Sequence, residues 1–231
     1  MARKVCIHQP NYVPWIGYFR KIAEAEVFVF LDDAQFSKGS YTNRVRVLAE
    51  GRPVWLSVPV SFGFGDPIDR VRVSDPGFAV AHLRRLEGMY REAPAFSEVW
   101  GEIASSYDDV GRYDLLADVN IRLIEALSIR LGVRAEFRRS SQMPADGLAR
   151  DDRLVALVKE VAPSGVYLSG KGGASYQDPG KFEAAGLQLR YLDYEPQQYP
   201  QAGAAEFVAG LSVLDAIFNL GFDGAARLVR Q

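Results

Sequence analysis

The sequence has a single cysteine, Cys6, and only two histidines, His8 and His82, in 231 residues. One thiol cannot form an intrachain disulfide, which favours a reducing compartment, and it excludes a multi-cysteine zinc site. Two histidines so far apart offer no ligand pair of recognisable spacing, so neither a metal nor another cofactor is called for. Charge of one sign is lacking too: 27 Lys and Arg stand against 29 Asp and Glu, a formal net charge of −2. That balance gives no electrostatic case for nucleic acid or an anionic membrane. No apolar run approaches the roughly 18 residues of a membrane span. The run after Met1-Ala2-Arg3-Lys4 is too short for a signal peptide, so the expected location is the cytoplasm. Internal repeats and low-complexity tails are missing as well, which argues against an interaction scaffold. What is present is an apolar share of 48%, enough to bury a real core in a single α/β domain spanning 1–231.

The most informative stretch runs from Lys4 to Arg44. Val5-Cys6-Ile7 is a short β-compatible run that must stop near Gln9, because Pro10 and Pro14 deny ladder donors. The spacing of Trp15, Ile16, Tyr18, Phe19, Ile22 and Ala23 predicts a helix over about 15–25, with Pro14 at its tolerated start. Val27-Phe28-Val29-Phe30-Leu31 reads as a strand buried on both faces and ends in Asp32-Asp33. This is a βαβ pattern, and parallel sheets bind ligands at the carboxyl ends of their strands. His8, Gln9, Asn11 and Tyr12 leave the first strand, Asp32 and Asp33 leave the second, Tyr18 opens the helix, and the following loop supplies Gln35, Tyr41, Asn43 and Arg44. An imidazole beside carboxylates and amides suits proton abstraction from an amine or hydroxyl, with His8 as base and Asp32 or Asp33 orienting it. Arg44 could hold a carboxylate or phosphate by a bidentate fork. Cys6 shares the strand face of His8 and could relay an acyl group as a thioester. The plainer readings are a histidine bonded to a carbonyl and an aspartate pair that makes a turn.

Further on, 44–48 and 54–60 flank a Gly-containing turn and read as a β-hairpin, and 68–73 as a short strand. Three stretches with helical spacing, 78–90, 96–107 and 113–131, form a helical subdomain over 78–131, in which His82 reads as structural and Asn120 could face a pocket. Strand signals return at 135–138, 166–168 and 187–192, with helices at 150–161 and 182–185. Ser169-Gly170-Lys171-Gly172-Gly173 is a Gly-rich loop able to approach a phosphate or phosphopantetheine, though not a Walker motif. The stretch 193–201, including Tyr199, mixes tyrosines with amides as a sugar-contacting surface would. A helix over 211–220 is expected to stop at Gly221. The fold class is α/β, a Rossmann-like, mostly parallel sheet with an inserted hairpin and the helical subdomain.

Several of these residues resemble a known family. Ile7-His8-Gln9-Pro10-Asn11-Tyr12-Val13-Pro14-Trp15-Ile16-Gly17-Tyr18-Phe19-Arg20-Lys21-Ile22 is similar to the opening of the WbqC-like protein family. So are Leu31-Asp32-Asp33-Ala34-Gln35-Phe36, Asn43-Arg44, Trp55 to Val60, Tyr167 to Gly170, Tyr194 to Gln201 and Leu211 to Asp215. The resemblance implies a role in making or decorating O-antigen, other surface polysaccharides or natural products. The expectation is a transferase that moves an acyl or aminoacyl group, from a thioester on a carrier protein or coenzyme A, onto the amine of a small molecule such as an amino sugar. Another class of function stays open, a non-catalytic sugar- or partner-binding protein of a polysaccharide assembly pathway. A fainter likeness to nucleotidylyltransferases lacks both histidines of their His-x-Gly-His tetrad, since Pro14-Trp15-Ile16-Gly17-Tyr18 stands in its place.

Overall fold

The computed structural model describes residues 2–145 and 147–231. β1 (Lys4–His8) ends before Pro10, α1 (Ile16–Glu24) starts two residues after Pro14, and β2 (Val27–Phe30) runs parallel to β1 with Val5 opposite Val27 and His8 opposite Phe30. β3 (Arg44–Ala49) and β4 (Arg52–Ser57) form the expected hairpin. Its two turn residues, Glu50 and Gly51, both have positive φ (49° and 72°), the mirror-image turn whose twist matches the flanking strands. β5 (Val60–Ser61) and β6 (Arg72–Val73) make a two-residue ladder. Where a strand over 68–73 was expected, Ile68–Arg70 is a 3-10 turn that buries Ile68.

Three helices follow, α2 (Phe78–Tyr90), α3 (Phe96–Val110) and α4 (Leu116–Arg130). The chain then returns to the sheet through β7 (Glu136–Arg139), α5 (Arg150–Val161), β8 (Val166–Gly170), α6 (Pro179–Ala184) and β9 (Gln188–Leu192), and finishes in α7 (Val213–Arg230). Gly221 does not end α7 as expected. It kinks the helix at φ 71° and ψ 173°, and a second helical stretch runs on to Arg230.

The central sheet has the order β7-β2-β1-β8-β9 and every pairing in it is parallel. Counted by appearance within the sheet, this is 3-2-1-4-5, the order of a Rossmann-like doubly wound fold, and the hairpin and α2–α4 are inserted in the crossover from β2 to β7. Alternation along the strands sorts the core. Cys6, Phe28, Phe30 and Leu168 face α1, α7 and the inserted helices, while Val5, Ile7, Val27, Val29 and Tyr167 face Leu157 and Val158 of α5 and Phe182 of α6. No described helix is long and apolar enough to cross a membrane.

Candidate functional site

The strand order reverses at β1, between β2 and β8, so the crevice at the carboxyl ends of β1 and β8 is the place where this architecture presents a ligand. His8 closes β1 there. Its Nδ1 lies 3.0 Å from the carbonyl oxygen of Gln9, so Nδ1 carries the proton and donates, which leaves Nε2 as the acceptor of a neutral imidazole. The ring stands edge-on to Tyr18 at 4.8 Å and Trp15 at 6.3 Å. Tyr18 donates to the same Gln9 carbonyl at 3.0 Å, which fixes the turn leaving β1. Burial above all, and then the nearby Lys21 ammonium, lowers the His8 pKa to about 3. Lys21 has no ion-pair or hydrogen-bond partner among the described residues, and burial lowers its pKa. Across β8, Lys4 pairs with Val166 and Val5 with Tyr167; continuing that register sets His8 level with Gly170. A Cβ on Gly170 would come 2.8 Å from Lys21 Nζ, so the glycine leaves the space the ammonium occupies.

Trp15 joins this polar corner to an aromatic cavity of about 300 Å³. Trp15, Tyr41, Tyr194, Tyr199 and Phe207 wall it, with Arg46 at its edge. Each wall is held from behind. Tyr194 lies on Gly17, where a Cβ would meet its ring at 2.6 Å. The Tyr199 hydroxyl donates to Asp215 at 2.8 Å, and Tyr90 and Gln201 donate to the same carboxylate. Tyr41 packs between Trp15 and Trp55. Ser212 caps α7 and donates to the carbonyl of Val13 at 2.7 Å, holding that β-branched residue at φ 37°, a strained conformation of the kind stored near functional sites.

Asn120 reaches this turn from α4. It is fully buried and donates to the carbonyls of Pro10 (2.9 Å) and Thr42 (2.7 Å), so it braces the turn and does not face the cavity. Asn120→Ala strands both carbonyls, and unfolding in urea is expected to show a loss of about 2–3 kcal/mol; a loss under about 0.5 kcal/mol would show that the brace is idle.

The remaining expected site residues are placed as follows. Asp32 and Asp33 do not bond to His8, Asn43 or Arg44. Asp32 is fully buried and accepts from Arg139 and Ser141, and Asp33 accepts from Ser140 and Arg153, all on the β7 side of the switch point. Cys6 is buried beneath His8 and burial pushes its thiol up to about 12, which disfavours the thiolate that an acyl relay needs. Asn43 closes its loop through Gly39 and Val58, and Arg44 stacks on Trp55 at 4.0 Å. Lys171 is exposed and paired with Asp193 at 3.0 Å, while Ser169 is buried. Asn11 is buried in the turn and Gln35 is exposed, bridging to Pro67. Tyr12 is a core residue. Its hydroxyl meets His82 Nδ1 at 2.7 Å and the Tyr107 hydroxyl at 2.9 Å, and His82 Nε2 donates to the carbonyl of Ser57 at 3.0 Å. Lys21 was missed in the sequence, and nothing but its place on the strand-facing helix could have flagged it.

Both histidines carry one stability prediction. Burial lowers the His82 pKa to about 4 and the His8 pKa to about 3, each below the ordinary value of 6.5. The unfolded chain therefore takes up protons first, and stability is full above about pH 6.5 and falls as acid is added. Between pH 7.5 and 5.5 each histidine is expected to remove about 1.4 kcal/mol, measured by denaturant unfolding. His82→Gln should leave about half of that slope, and a flat profile in the parent protein would overturn the account.

Taken together, these features define a doubly wound α/β protein with His8 and Lys21 at its topological switch point and an aromatic cavity beside them. The chain belongs to the WbqC-like protein family, which it matches over residues 9–227. It is also 32% identical over 223 residues to the uncharacterized protein Rv1507c of Mycobacterium tuberculosis, an alignment covering 95% of this chain and 94% of that one.

Proposed function

We propose that the protein is a transferase of polysaccharide or natural-product biosynthesis, moving an acyl or aminoacyl group from a thioester onto the amine of an amino sugar or comparable small molecule. The observation that carries this reading is the meeting at Trp15 of a neutral imidazole, with Nε2 left as acceptor, and an aromatic-walled cavity. Aromatic rings and a few polar groups suit the faces of a sugar. In the step proposed, the amine nitrogen attacks the thioester carbonyl, Nε2 of His8 accepts the proton the amine loses, and the intermediate expels the thiolate, leaving an amide.

The test is incubation with acyl thioesters and amino-sugar nucleotides, followed by mass spectrometry. An amide product, formed with release of free thiol, supports transfer. Thermal stabilisation by the sugar nucleotide without product points to a binding protein, and consumption of a nucleoside triphosphate to the nucleotidyl-transferring alternative.

A further inference from the structure

We propose that Lys21, beside His8 and over the floor that Gly170 leaves, forms a seat for a phosphate group of the substrate. The inference uses the same crevice as the proposed function but does not depend on any transfer taking place.

Three observations carry it. First, the other cations expected to hold an anion are committed elsewhere: Lys171 pairs with Asp193, and Arg44 stacks on Trp55. Lys21 alone of these three has no partner among the described residues, although it is mostly shielded from water. A shielded ammonium with three free donors is a strong anion ligand, because screening there is weak and its hydrogen bonds are charge-assisted. Second, topology directs it to the crevice. Lys21 projects from α1 onto the face of the sheet that carries His8, at the carboxyl end of β8, and any side chain at position 170 would displace it. Third, the 3-10 turn that follows β8, Lys171–Ser175, carries a glycine with open space beside it. Gly172 has no positive φ, and a Cβ there would touch nothing, so neither turn geometry nor packing accounts for the glycine. A glycine at that place lets a phosphate come close to the backbone.

The seat has a consequence for His8. The titratable groups around its ring are Lys21 on α1, Tyr18 on the same helix and Cys6 on β1, with Glu24 acting on Cys6. Burial raises Tyr18 and Cys6, so both stay neutral, and among the described residues Lys21 is the charge that holds His8 down beyond its burial. A phosphate on Lys21 offsets that charge and makes His8 a stronger base only when substrate is in place.

With two histidines in the chain, imidazole titrations by 15N NMR are readily resolved. Inorganic phosphate is expected to bind the parent protein and to move the His8 titration upward while leaving His82 unchanged. Lys21→Met is expected to raise the His8 titration in the free protein, to abolish its response to phosphate, and to weaken phosphate binding at least about tenfold; Lys21→Arg is expected to keep the response. Acetate at equal concentration is expected to shift His8 less than phosphate does. The proposal is overturned if phosphate leaves His8 unmoved in the parent protein, if Lys21→Met binds phosphate as before, or if acetate does as well as phosphate. Should Lys21→Met fail to fold, the phosphate and acetate titrations of the parent protein decide the matter alone. These readouts need no turnover, so they stand apart from the mass-spectrometric test of transfer.

Discussion

Asp32→Ala is expected to remove about 3–5 kcal/mol of folding stability, a fall in melting temperature on the order of 10 °C for a chain of this length. Asp32 has no solvent exposure, and its two carboxylate oxygens accept three bonds: from Arg139 Nε at 2.7 Å, Ser141 Oγ at 2.8 Å and the Ser141 amide at 2.9 Å. Arg139 in turn bonds to Asp118 of α4 at 2.6 Å. The carboxylate therefore ties the end of β2 to the end of β7 and to the inserted helices. Its removal leaves a guanidinium half-paired and mostly shielded, and strands the hydroxyl and the amide of Ser141. Asp32→Asn keeps the shape and some acceptors but loses the charge, and a cost between those of the parent and the alanine variant is expected in guanidinium unfolding. A catalytic aspartate would give the opposite pattern, lost turnover with stability kept or raised. A cost under about 1 kcal/mol for the alanine variant would show that the clamp carries little.

The contrast between Asp32 and Lys21 shows what the sequence can and cannot reveal. Local pattern was enough for the βαβ opening, the hairpin and most of the helices and strands, because proline, glycine and apolar period act within a few residues. Gly221 escaped it, since a positive φ can kink a helix as well as end one, and only packing downstream decides which. The site needed longer-range knowledge. Asp32 leaves the strand next to β1 and invites pairing with His8, yet the ligand side of a doubly wound sheet is where the order reverses. Here that is the side of β8, which begins only at Val166. The arginine and the serine that occupy Asp32 arrive with the end of β7, more than 100 residues further on. Lys21 has the converse history. On an amphipathic helix a lysine reads as solvated, and only the missing side chain of Gly170, brought alongside by β8, makes room for it indoors. The tyrosines of 193–201 were legible as a contact surface, but the residues that brace them, Gly17 and Asp215, were not.

His8→Ala is expected to lower turnover with the true substrates by about a hundred- to ten-thousandfold, the usual worth of a positioned base. Stability should change little, because among the described residues the ring bonds only to its neighbour's carbonyl and its burial is already costly in acid. That separation of activity from stability is what distinguishes a base from a strut, and parallel kinetics and denaturation measure it. The pH profiles add a sharper test. With His8 held near pKa 3 in the free protein, kcat/KM, which reports free-enzyme groups, is expected to show no acid limb from His8 near neutrality. The profile of kcat reports the bound complex, where a phosphate on Lys21 relieves the depressing charge, and its acid limb should lie higher. Lys21→Met should bring the two limbs together, since the charge that separates them is gone. A His8→Ala protein with full turnover would remove the base from the mechanism, while coincident limbs in the parent protein would show that substrate binding does not tune it.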